Sequence, residues 1–289
     1  MKLAVSTYSL SQWRAASGAS LEDCLDWLAD DAGVPGVEFA GLDEKATANP
    51  VKRAGELRAY AEKKGLTVAG YCVGAELIGP AKAVKETIDR VKGDVDVAAA
   101  FGVKSMRHDV TRGFDAYKAY KGPTTVAAAI KLVAPAIREI ADYAQERGVI
   151  TTLENHGFYM QAPDRVEKLL NTVNHPNFRL TIDMGNFLCV DADPVAAVEQ
   201  MAKYAVMAHV KDFHVKPKKQ APPSGWFHTP KSIALRGAIV GHGAIDVPKQ
   251  LKLLKKSGYD GWLSLEFEGM EEPRFAVKTG LDFLRSHLS

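Results

Sequence analysis

The sequence alternates between short apolar runs and longer segments with helical periodicity, and this alternation constrains the fold more than any other feature. Eight such runs occur, at residues 3–7, 36–39, 67–72, 105–109, 149–154, 179–183, 205–211 and 262–266. Each run is followed by a candidate helix, an order typical of parallel strands joined by crossover helices. Eight pairs in 289 residues predict an α/β fold in which residues 1–289 form a single (β/α)8 TIM barrel.

The candidate helices carry apolar residues on one face and have recognisable ends. In the first helix the apolar residues follow an i, i+3, i+4, i+7 spacing and are Leu21, Cys24, Leu25 and Leu28. Ser20 is a candidate N-cap for that helix, and Asp193 followed by Pro194 is a candidate start for the sixth helix. The turn after the first strand, residues 7–11, contains no glycine, which argues against a doubly wound sheet with a glycine-rich phosphate turn.

Charge and cysteine content narrow the classes of partner. The chain has 37 Lys and Arg residues against 35 Asp and Glu residues, a formal net charge of +2. Nucleic-acid binding usually requires concentrated basic charge, so we expect no nucleic-acid partner and favour a small neutral or weakly anionic molecule. The three cysteines form no CxxC or CxxxC pair, which argues against a thiolate zinc site and a disulfide framework.

The apolar segments are too short to suggest a membrane protein. The N-terminal residues reach Ser6 and Thr7 after only three apolar residues, so they contain no signal-peptide core. No run approaches the roughly 18 apolar residues that span a bilayer. We therefore expect a cytoplasmic protein without a membrane partner.

The interval between strands seven and eight is longer than the regular pattern allows. Residues 213–245 are rich in Pro, Gly and Lys. Long irregular segments in compact domains are usually lids or binding loops, and loops that follow strands lie at the catalytic end of a β/α barrel. We therefore predict a long, lid-like loop insertion after strand seven, with a surface excursion that contacts no ligand as the alternative.

Residues of metal-binding type stand at the ends of the last four strands, and they are Glu154, Asp183, His209 and Glu266. Because side chains alternate along a strand, inward-facing ends would bring these four together near the barrel axis. Three carboxylates in an apolar barrel repel one another unless a cation neutralises them. The sequence therefore predicts one divalent metal ion. The oxygen-rich donor set favours Mn²⁺ first, with Mg²⁺, Co²⁺ and Zn²⁺ also compatible.

Each of these residues, taken alone, has a simpler interpretation. An Asp or Glu at a strand end is often a helix N-cap or a surface charge, and a His on an apolar strand is often a core residue with satisfied hydrogen bonds. An Asp, Glu or His residue at the ends of four successive strands is harder to explain by capping, and this repetition favours the metal site.

Five short motifs resemble the xylose-isomerase-like TIM-barrel superfamily of sugar phosphate isomerases and epimerases. They are TLENHG at 152–157, TIDMGN at 181–186, HVKD at 209–212, GHGAID at 241–246 and SLEFEG at 264–269. The resemblance extends over the whole chain in order. In ketose 3-epimerases of that superfamily, two glutamates bind the metal and also act as acid and base. The resemblance therefore implies that Glu154 and Glu266 do both, with Asp183 and His209 as plain ligands.

The resemblance also implies substrate contacts for Glu38, Arg107, His156 and Lys211. We add Asn186 and His242 as further candidate substrate-binding residues. Arg107 and His108 have opposite parity, so only one points inward, and we favour Arg107. His156 is either a ligand for a substrate hydroxyl or an exposed loop residue, and Lys211 either neutralises an enediolate or pairs with Asp212. His242 is either a lid residue or a loop-packing residue.

The chemistry of the proposed site predicts a small-molecule enzyme. A metal that binds a carbonyl and its neighbouring hydroxyl acidifies the α-hydrogen, and two carboxylates can then remove and return a proton on opposite faces. We predict a divalent-metal-dependent isomerase or epimerase of a sugar or keto-sugar, acting by deprotonation and reprotonation through a metal-bound enediolate. The alternative is a metal-dependent lyase or dehydratase of a keto-inositol or 3-keto-glycoside.

Departures from relatives exclude or weaken other functions. Several sugar epimerases and the endonuclease IV enzymes have a His where this chain has Asn186, and the further ligands of a three-zinc nuclease cluster are not found. A repair nuclease is therefore not favoured, and the substrate need not be a free ketohexose. A non-catalytic sugar sensor would require the two glutamates to be ligands only. The resemblance also implies a homo-oligomer, although no apolar stripe identifies an interface.

Overall fold

Eight parallel strands close into a barrel in this computed structural model, which describes residues 1–46 and 48–288. The strands are β1 (Lys2–Ser6), β2 (Gly36–Ala40), β3 (Thr67–Val73), β4 (Ser105–His108), β5 (Ile150–Glu154), β6 (Phe178–Asp183), β7 (Ala205–Val210) and β11 (Trp262–Leu265). Their order around the barrel is β1-β11-β7-β6-β5-β4-β3-β2, and β1 closes it by pairing with both β2 and β11. The predicted (β/α)8 barrel is confirmed, with strand ends shifted by at most one residue.

Helices surround the barrel and connect its strands. They are α1 (Ser11–Ser17), α2 (Leu21–Asp30), α3 (Pro50–Lys63), α4 (Ala81–Phe101), α5 (Val126–Gln145), α6 (Pro163–Val173), α7 (Pro194–Met201), α8 (Val247–Lys256) and α9 (Pro273–Leu288). Short 3-10 turns occur at Thr7–Leu10, Glu44–Ala46, Phe114–Ala116, Asn186–Val190, Ala202–Tyr204 and Lys218–Gln220. The predicted N-caps are confirmed: Ser20 forms a capping box with Asp23 on α2, and Asp193 caps α7 ahead of Pro194.

The lower part of the barrel interior is closed by apolar side chains. Ala4, Ala69 and Met207 form a small buried cluster, against which Trp262 packs. A methyl group on Gly36 would lie 2.5 Å from the indole ring of Trp262, so a glycine is needed opposite that ring. Most other buried apolar residues lie between the strands and the helices. Access to the interior is therefore from the carboxyl ends of the strands, as in other β/α barrels.

The predicted loop insertion contains a small antiparallel sheet, so the expectation of an irregular segment was wrong. Its strands are β8 (Asp212–Pro217), β9 (Phe227–His228) and β10 (Ile233–Ala238), in the order β8-β10-β9. Only Lys211 separates β7 from β8. Phe213 and Leu235 are fully buried, whereas Lys216 is exposed and Arg236 is half-buried, so the sheet has one apolar face. The alternation of apolar and polar residues along these strands is hard to recognise in the sequence, because Pro, Gly and Lys residues surround it.

Asp212 anchors the insertion to the barrel. Its carboxylate accepts hydrogen bonds from four backbone N–H groups, those of Phe213, Gly241, Gly243 and Ile245, at 2.8–3.2 Å. These donors lie at the two ends of the insertion, so one side chain ties its entry to its exit. A second contact holds its tip, because Asp191 accepts hydrogen bonds from Thr229 and from the backbone of Lys231.

Within residues 1–46 and 48–288, no helix has the length and apolar character needed to cross a membrane.

Replacing Asp212 with alanine is expected to loosen the insertion, because several N–H groups lose their charged acceptor. Each hydrogen bond to a charged group contributes about 1.5–3 kcal/mol. Limited proteolysis should then cut within 213–245 at a lower protease concentration, and Tm should fall. The matched control is Asp246→Ala, which removes a single N-cap bond to the backbone of Lys249 and should cost about 1 kcal/mol. Equal protease resistance of both variants would contradict the anchoring role.

Candidate metal centre

The four predicted ligands meet at the carboxyl end of the barrel. Glu154 and Asp183 are the last residues of β5 and β6, His209 is in β7, and Glu266 directly follows β11. Each offers one donor atom, and these four atoms lie within 4.8 Å of one another. All four side chains are buried. The strand alternation thus gives one compact donor set from four adjacent strands.

The residues present fit a divalent cation. Oδ1 of Asp183 accepts hydrogen bonds from the backbone N–H groups of Gly185 and Asn186, at 2.7 and 2.8 Å. Its Oδ2 atom is buried and makes no hydrogen bond among the residues that the structure describes, although Nζ of Lys211 lies 3.3 Å from it. Buried, unpartnered carboxylate oxygens are costly unless a cation binds them. Three carboxylates and one imidazole make a donor set of the kind that Mn²⁺, Mg²⁺, Co²⁺ or Zn²⁺ accepts.

The side chain of Asn155 fixes the relative position of two of these strands. Its Nδ2 donates to the backbone oxygen of Asp183, and its Oδ1 accepts from the backbone N–H of Asp183, both at 2.9 Å. Asn155 is fully buried. Asn155 thus continues the pairing of β5 with β6 just beyond the end of β5. It fixes the relative position of the two strand ends that carry Glu154 and Asp183.

The imidazole of His209 lies between two groups of carboxylates. Its Nδ1 atom is 3.2 Å from Oε1 of Glu154 and 3.5 Å from Oε1 of Glu266. Its Nε2 atom faces Glu38, at 3.0 and 3.1 Å from the two carboxylate oxygens. Only Nδ1 is therefore directed at the donor set.

Two further cations balance the buried carboxylates. Nη2 of Arg107 is 2.6 Å from Oε2 of Glu154, and the two side chains form an ion pair. Nζ of Lys211 is 3.0 Å from Glu266 and 3.3 Å from Asp183. The structure therefore places Arg107 inward, as its parity indicates, and it pairs Lys211 with the donor set instead of Asp212.

The charges shift the pKa values of the site. Burial raises the pKa of Asp183, and with Glu154 and Glu266 nearby it reaches about 6, although Lys211 opposes the shift. Burial also works against ionisation of Glu154, but Arg107 and His209 hold its pKa well below the usual range. Burial would lower the pKa of His209, yet Glu38, Glu266 and Glu154 raise it well above its ordinary value. The surrounding carboxylates therefore favour the protonated form of His209 when no metal is bound.

His156 and Asn186 lie at the mouth beside Glu154. Nδ1 of His156 is 3.2 Å from Oδ1 of Asp109, and the His156 side chain is 46% exposed, so it can reach a bound molecule. Nδ2 of Asn186 donates to Oε1 of Glu154 at 3.2 Å. Asp109, Glu154 and His156 also line a small cavity of about 30 Å³ at this edge of the barrel. The structure thus brings both predicted residues next to charged groups of the site, His156 half-exposed and Asn186 buried.

Two residues of the predicted substrate-binding set lie elsewhere. Glu38 is 1% exposed and contacts His209, Cys72 and Ser264 below the donor atoms. His242 is exposed and lines a surface groove with residues of the insertion, including Trp226. The sequence could not show that Glu38 is buried or that His242 lies in a surface groove. Both residues stand near a strand end, as do the residues that the structure brings to the donor set.

Glu268 belongs to the site and was not predicted. Its Oε2 atom is 3.4 Å from Nζ of Lys211, and its carboxylate raises the pKa of Tyr8 after burial, the larger cause. Glu268 stands two residues beyond Glu266, so its shared parity in SLEFEG was the available signal. Tyr8 is 42% exposed, so this pair lies at the mouth near the solvent.

A family model described as xylose isomerase-like TIM barrel matches residues 27–287. Among curated proteins, an inosose dehydratase of Clostridium beijerinckii is 25% identical over 157 residues, which are 50% of this chain and 49% of that protein. The chain thus matches about half the length of that relative. A 2-epi-5-epi-valiolone 7-phosphate 2-epimerase of Actinoplanes is 28% identical over 211 residues, covering 70% of this chain and 71% of that protein. These relatives are enzymes.

Solved structures agree on the fold. The structure of the IolI protein with a binding zinc atom aligns over 100% of this chain and 96% of that chain, with a TM-score of 0.75 and 17% identity. A likeness at this identity shows the shared fold alone. The barrel and the positions of its strand ends are therefore those of a known architecture, while the ion and the substrate are separate questions.

Elemental analysis of the metal-loaded protein should give close to one divalent ion per chain.

Asp183→Ala removes one carboxylate of the donor set, so Mn²⁺ affinity should fall by about 10-fold to 100-fold or more. The Mn²⁺-dependent rise in Tm should then be lost at the concentrations that stabilise the native protein. Asp193→Ala, which removes a remote helix cap, is the control and should keep that rise. An undiminished rise for Asp183→Ala would count against this ligand.

Metal affinity should increase with pH, because an ion must displace protons from the site. The pKa of His209 is raised well above its ordinary value, and that of Asp183 is raised to about 6, so protons compete with the ion at His209 and, in mildly acidic solution, also at Asp183. Each displaced proton weakens apparent affinity by about tenfold per pH unit below its pKa. Calorimetric Mn²⁺ titrations in buffers of different ionisation enthalpy should detect proton release. A dissociation constant that does not change with pH, without proton release, would exclude this competition.

Proposed function

The chain belongs to the xylose isomerase-like TIM barrel family, and from that premise we propose that it is a divalent-metal-dependent isomerase or epimerase of a sugar or keto-sugar. One observation carries the proposal. Glu154 and Glu266, on strands separated by β6 and β7, bring carboxylates to the same imidazole nitrogen of His209, at 3.2 and 3.5 Å. Two bases and a metal-binding donor set thus share one small volume at the barrel mouth.

The two glutamates are suited to move a proton. A divalent ion held by this donor set would polarise a substrate carbonyl and acidify the neighbouring C–H group. The pKa values of Glu154 and Glu266 are lowered despite burial, by Arg107 and His209 for the first and by His209 and Lys211 for the second. Both carboxylates are therefore ionised at neutral pH and able to accept a proton.

The reaction follows from the placement of these bases. One glutamate takes the α-proton from one face of the substrate carbon, and the electron pair moves onto the carbonyl oxygen. The second glutamate, once protonated from solvent, returns a proton to the opposite face and inverts the centre. Return of the proton to the neighbouring carbon instead gives aldose–ketose isomerisation. Lys211 and Arg107 lie beside the glutamates and offset the negative charge that develops on the substrate oxygens.

A small polyhydroxylated substrate fits the groups at the mouth. Asp109, His156 and Asn186 supply hydrogen-bond donors and acceptors beside Glu154. The exposed aromatic ring of Phe158 contacts Phe227 of the insertion edge-on, with ring centroids 6.4 Å apart. Phe158 follows His156 by two residues, so aromatic and polar side chains stand close together in the sequence here, a combination found in many small-molecule pockets.

A dehydratase is the second candidate, because several inosose dehydratases match about half of this chain. In that reaction one base removes the α-proton and a hydroxyl leaves from the β-carbon as water. Lys211 is positioned to protonate the departing oxygen, since its Nζ already faces Glu266 and Glu268. The keto-inositol or 3-keto-glycoside would then be the substrate class.

The two reactions differ in the fate of the α-hydrogen. Proton NMR in D₂O should be recorded with the Mn²⁺-loaded protein and a panel of ketoses, keto-glycosides and an inosose. An epimerase or isomerase is expected to exchange the α-hydrogen and keep every hydroxyl, whereas a dehydratase gives an alkene or enol signal with loss of one oxygen. Neither exchange nor elimination across the panel, with the ion bound, would support a binding protein instead.

Glu154→Gln and Glu266→Gln should each reduce turnover far more than metal occupancy, because glutamine keeps an oxygen donor and loses the proton acceptor. General acid–base catalysis typically contributes about 10² to 10⁴ in rate, so losses in that range are expected. In an epimerase, one variant should still exchange the α-hydrogen of one epimer. The control is Glu139→Gln on α5, an exposed surface change. Normal turnover by both active-site variants would refute the two-base mechanism.

A further inference from the structure

Glu38 makes a buried contact across the barrel with His209. It lies on β2, three strands away from β7 around the barrel wall, and its side chain is 1% exposed. Both carboxylate oxygens lie near Nε2 of His209, at 3.0 and 3.1 Å. Oε2 also accepts a hydrogen bond from Oγ of Ser264 at 2.7 Å, and Oε1 accepts one from Sγ of Cys72 at 3.3 Å. The carboxylate is therefore fixed from three directions.

The barrel wall leaves room for this carboxylate. Glu38 pairs with Gly70 in the register of β2 and β3, and a methyl group on Gly70 would lie 2.9 Å from Oε1 of Glu38. The same methyl would lie 3.5 Å from Cε of Met207, so the space is bounded by the apolar floor. An inward-facing glycine thus gives the Glu38 carboxylate its position below the mouth.

Glu38 lies one level deeper than the donor set. Ser264, which holds it, stands two residues before Glu266 on the same face of its strand, about 7 Å nearer the barrel floor. The compact group formed by Glu154, Asp183, His209 and Glu266 does not include Glu38 among the described residues. A substrate entering from the mouth reaches the donor set first, which argues against the substrate contact that family position suggested for Glu38.

The two imidazole nitrogens of His209 have different tasks in this arrangement. A neutral imidazole carries hydrogen on one nitrogen and a lone pair on the other. The hydrogen on Nε2 has a dedicated acceptor in Glu38, so the lone pair of Nδ1 is left to face Glu154 and Glu266. Carboxylates that accept from the distal nitrogen of a ligating histidine fix its orientation and strengthen it as a donor.

We propose that Glu38 is a positioning residue that holds His209 with Nδ1 directed at the metal ion, and that it contacts neither substrate nor ion. The inference rests on the proposed metal site, but not on the identity of the reaction. It also gives Ser264 and Gly70 a role, because they place the Glu38 carboxylate against Nε2.

The test compares Glu38→Ala, Glu38→Gln and Ser264→Ala with the native chain, using Mn²⁺ titration calorimetry of the metal-free proteins. Glu38→Ala should weaken Mn²⁺ binding by about 10-fold to 100-fold. Glu38→Gln should recover much of that loss, because its amide oxygen accepts from Nε2 while its NH₂ group donates to Ser264. Ser264→Ala should give a smaller loss. If Glu38→Ala fails to fold, the Mn²⁺ affinities of Glu38→Gln and Ser264→Ala, compared with the native chain, still test the contact between Glu38 and His209.

Cobalt provides a readout that a general loss of stability would not change. In the Co²⁺-loaded protein, the N–H proton of a ligating imidazole gives a strongly shifted NMR signal that disappears in D₂O. This signal should be sharp in the native and Glu38→Gln proteins, and broadened by solvent exchange in Glu38→Ala. Unchanged affinity and an unchanged signal in Glu38→Ala would overturn the inference.

Two other outcomes are decisive. If Cys72→Ser abolishes Mn²⁺ binding while Asp183→Ala does not, the ion lies between Glu38, Cys72 and His209, and Glu38 is a ligand. If the native chain binds no divalent ion after loading, the inference fails together with the metal site. A chain that binds the ion, loses affinity in Glu38→Ala and yet catalyses no α-hydrogen exchange would refute only the proposed function.

Discussion

The structure depends on the neutralisation of carboxylates buried at one end of an otherwise apolar barrel. Glu38, Glu154, Asp183 and Glu266 are each at most 6% exposed. Such groups are stable only with cations or several hydrogen bonds nearby. Arg107, Lys211 and His209 supply part of the balance, and the four donor atoms within 4.8 Å of one another mark where a divalent ion would supply more. These neighbouring cations also lower the pKa values of Glu154 and Glu266 against the effect of burial, so both carboxylates are held ionised.

The sequence was sufficient for the fold and for the convergence of the donor set, because both depend on local periodicities. Strand alternation and strand ends place Glu154 and His209 on inward faces without any knowledge of contacts. Contacts across the barrel are different: the link between Glu38 and His209 joins residues 171 positions apart, and no local pattern encodes it. The sheet in the insertion was missed because its short strands are interrupted by turn-forming residues, and β-pairing depends on context.

Epimerisation, isomerisation and dehydration begin with the same event, the removal of an α-proton beside a polarised carbonyl. In the proposed mechanism Glu154 and Glu266 serve that common step, and the ends of two barrel strands hold them in place. The later steps would then depend on groups nearer the solvent, such as Lys211 and Glu268, which form an ion pair at 3.4 Å. Such loops vary on a constant barrel, which explains why relatives of this chain include both an epimerase and dehydratases.

The most direct test of this account is the position of the ion itself. Crystals of the chain grown with Mn²⁺ should show one anomalous difference peak, measured near the manganese absorption edge. This peak should lie within about 2.0–2.3 Å of one donor atom each from Glu154, Asp183, Nδ1 of His209 and Glu266. A peak on the Nε2 side of His209, or none at full loading, would contradict it.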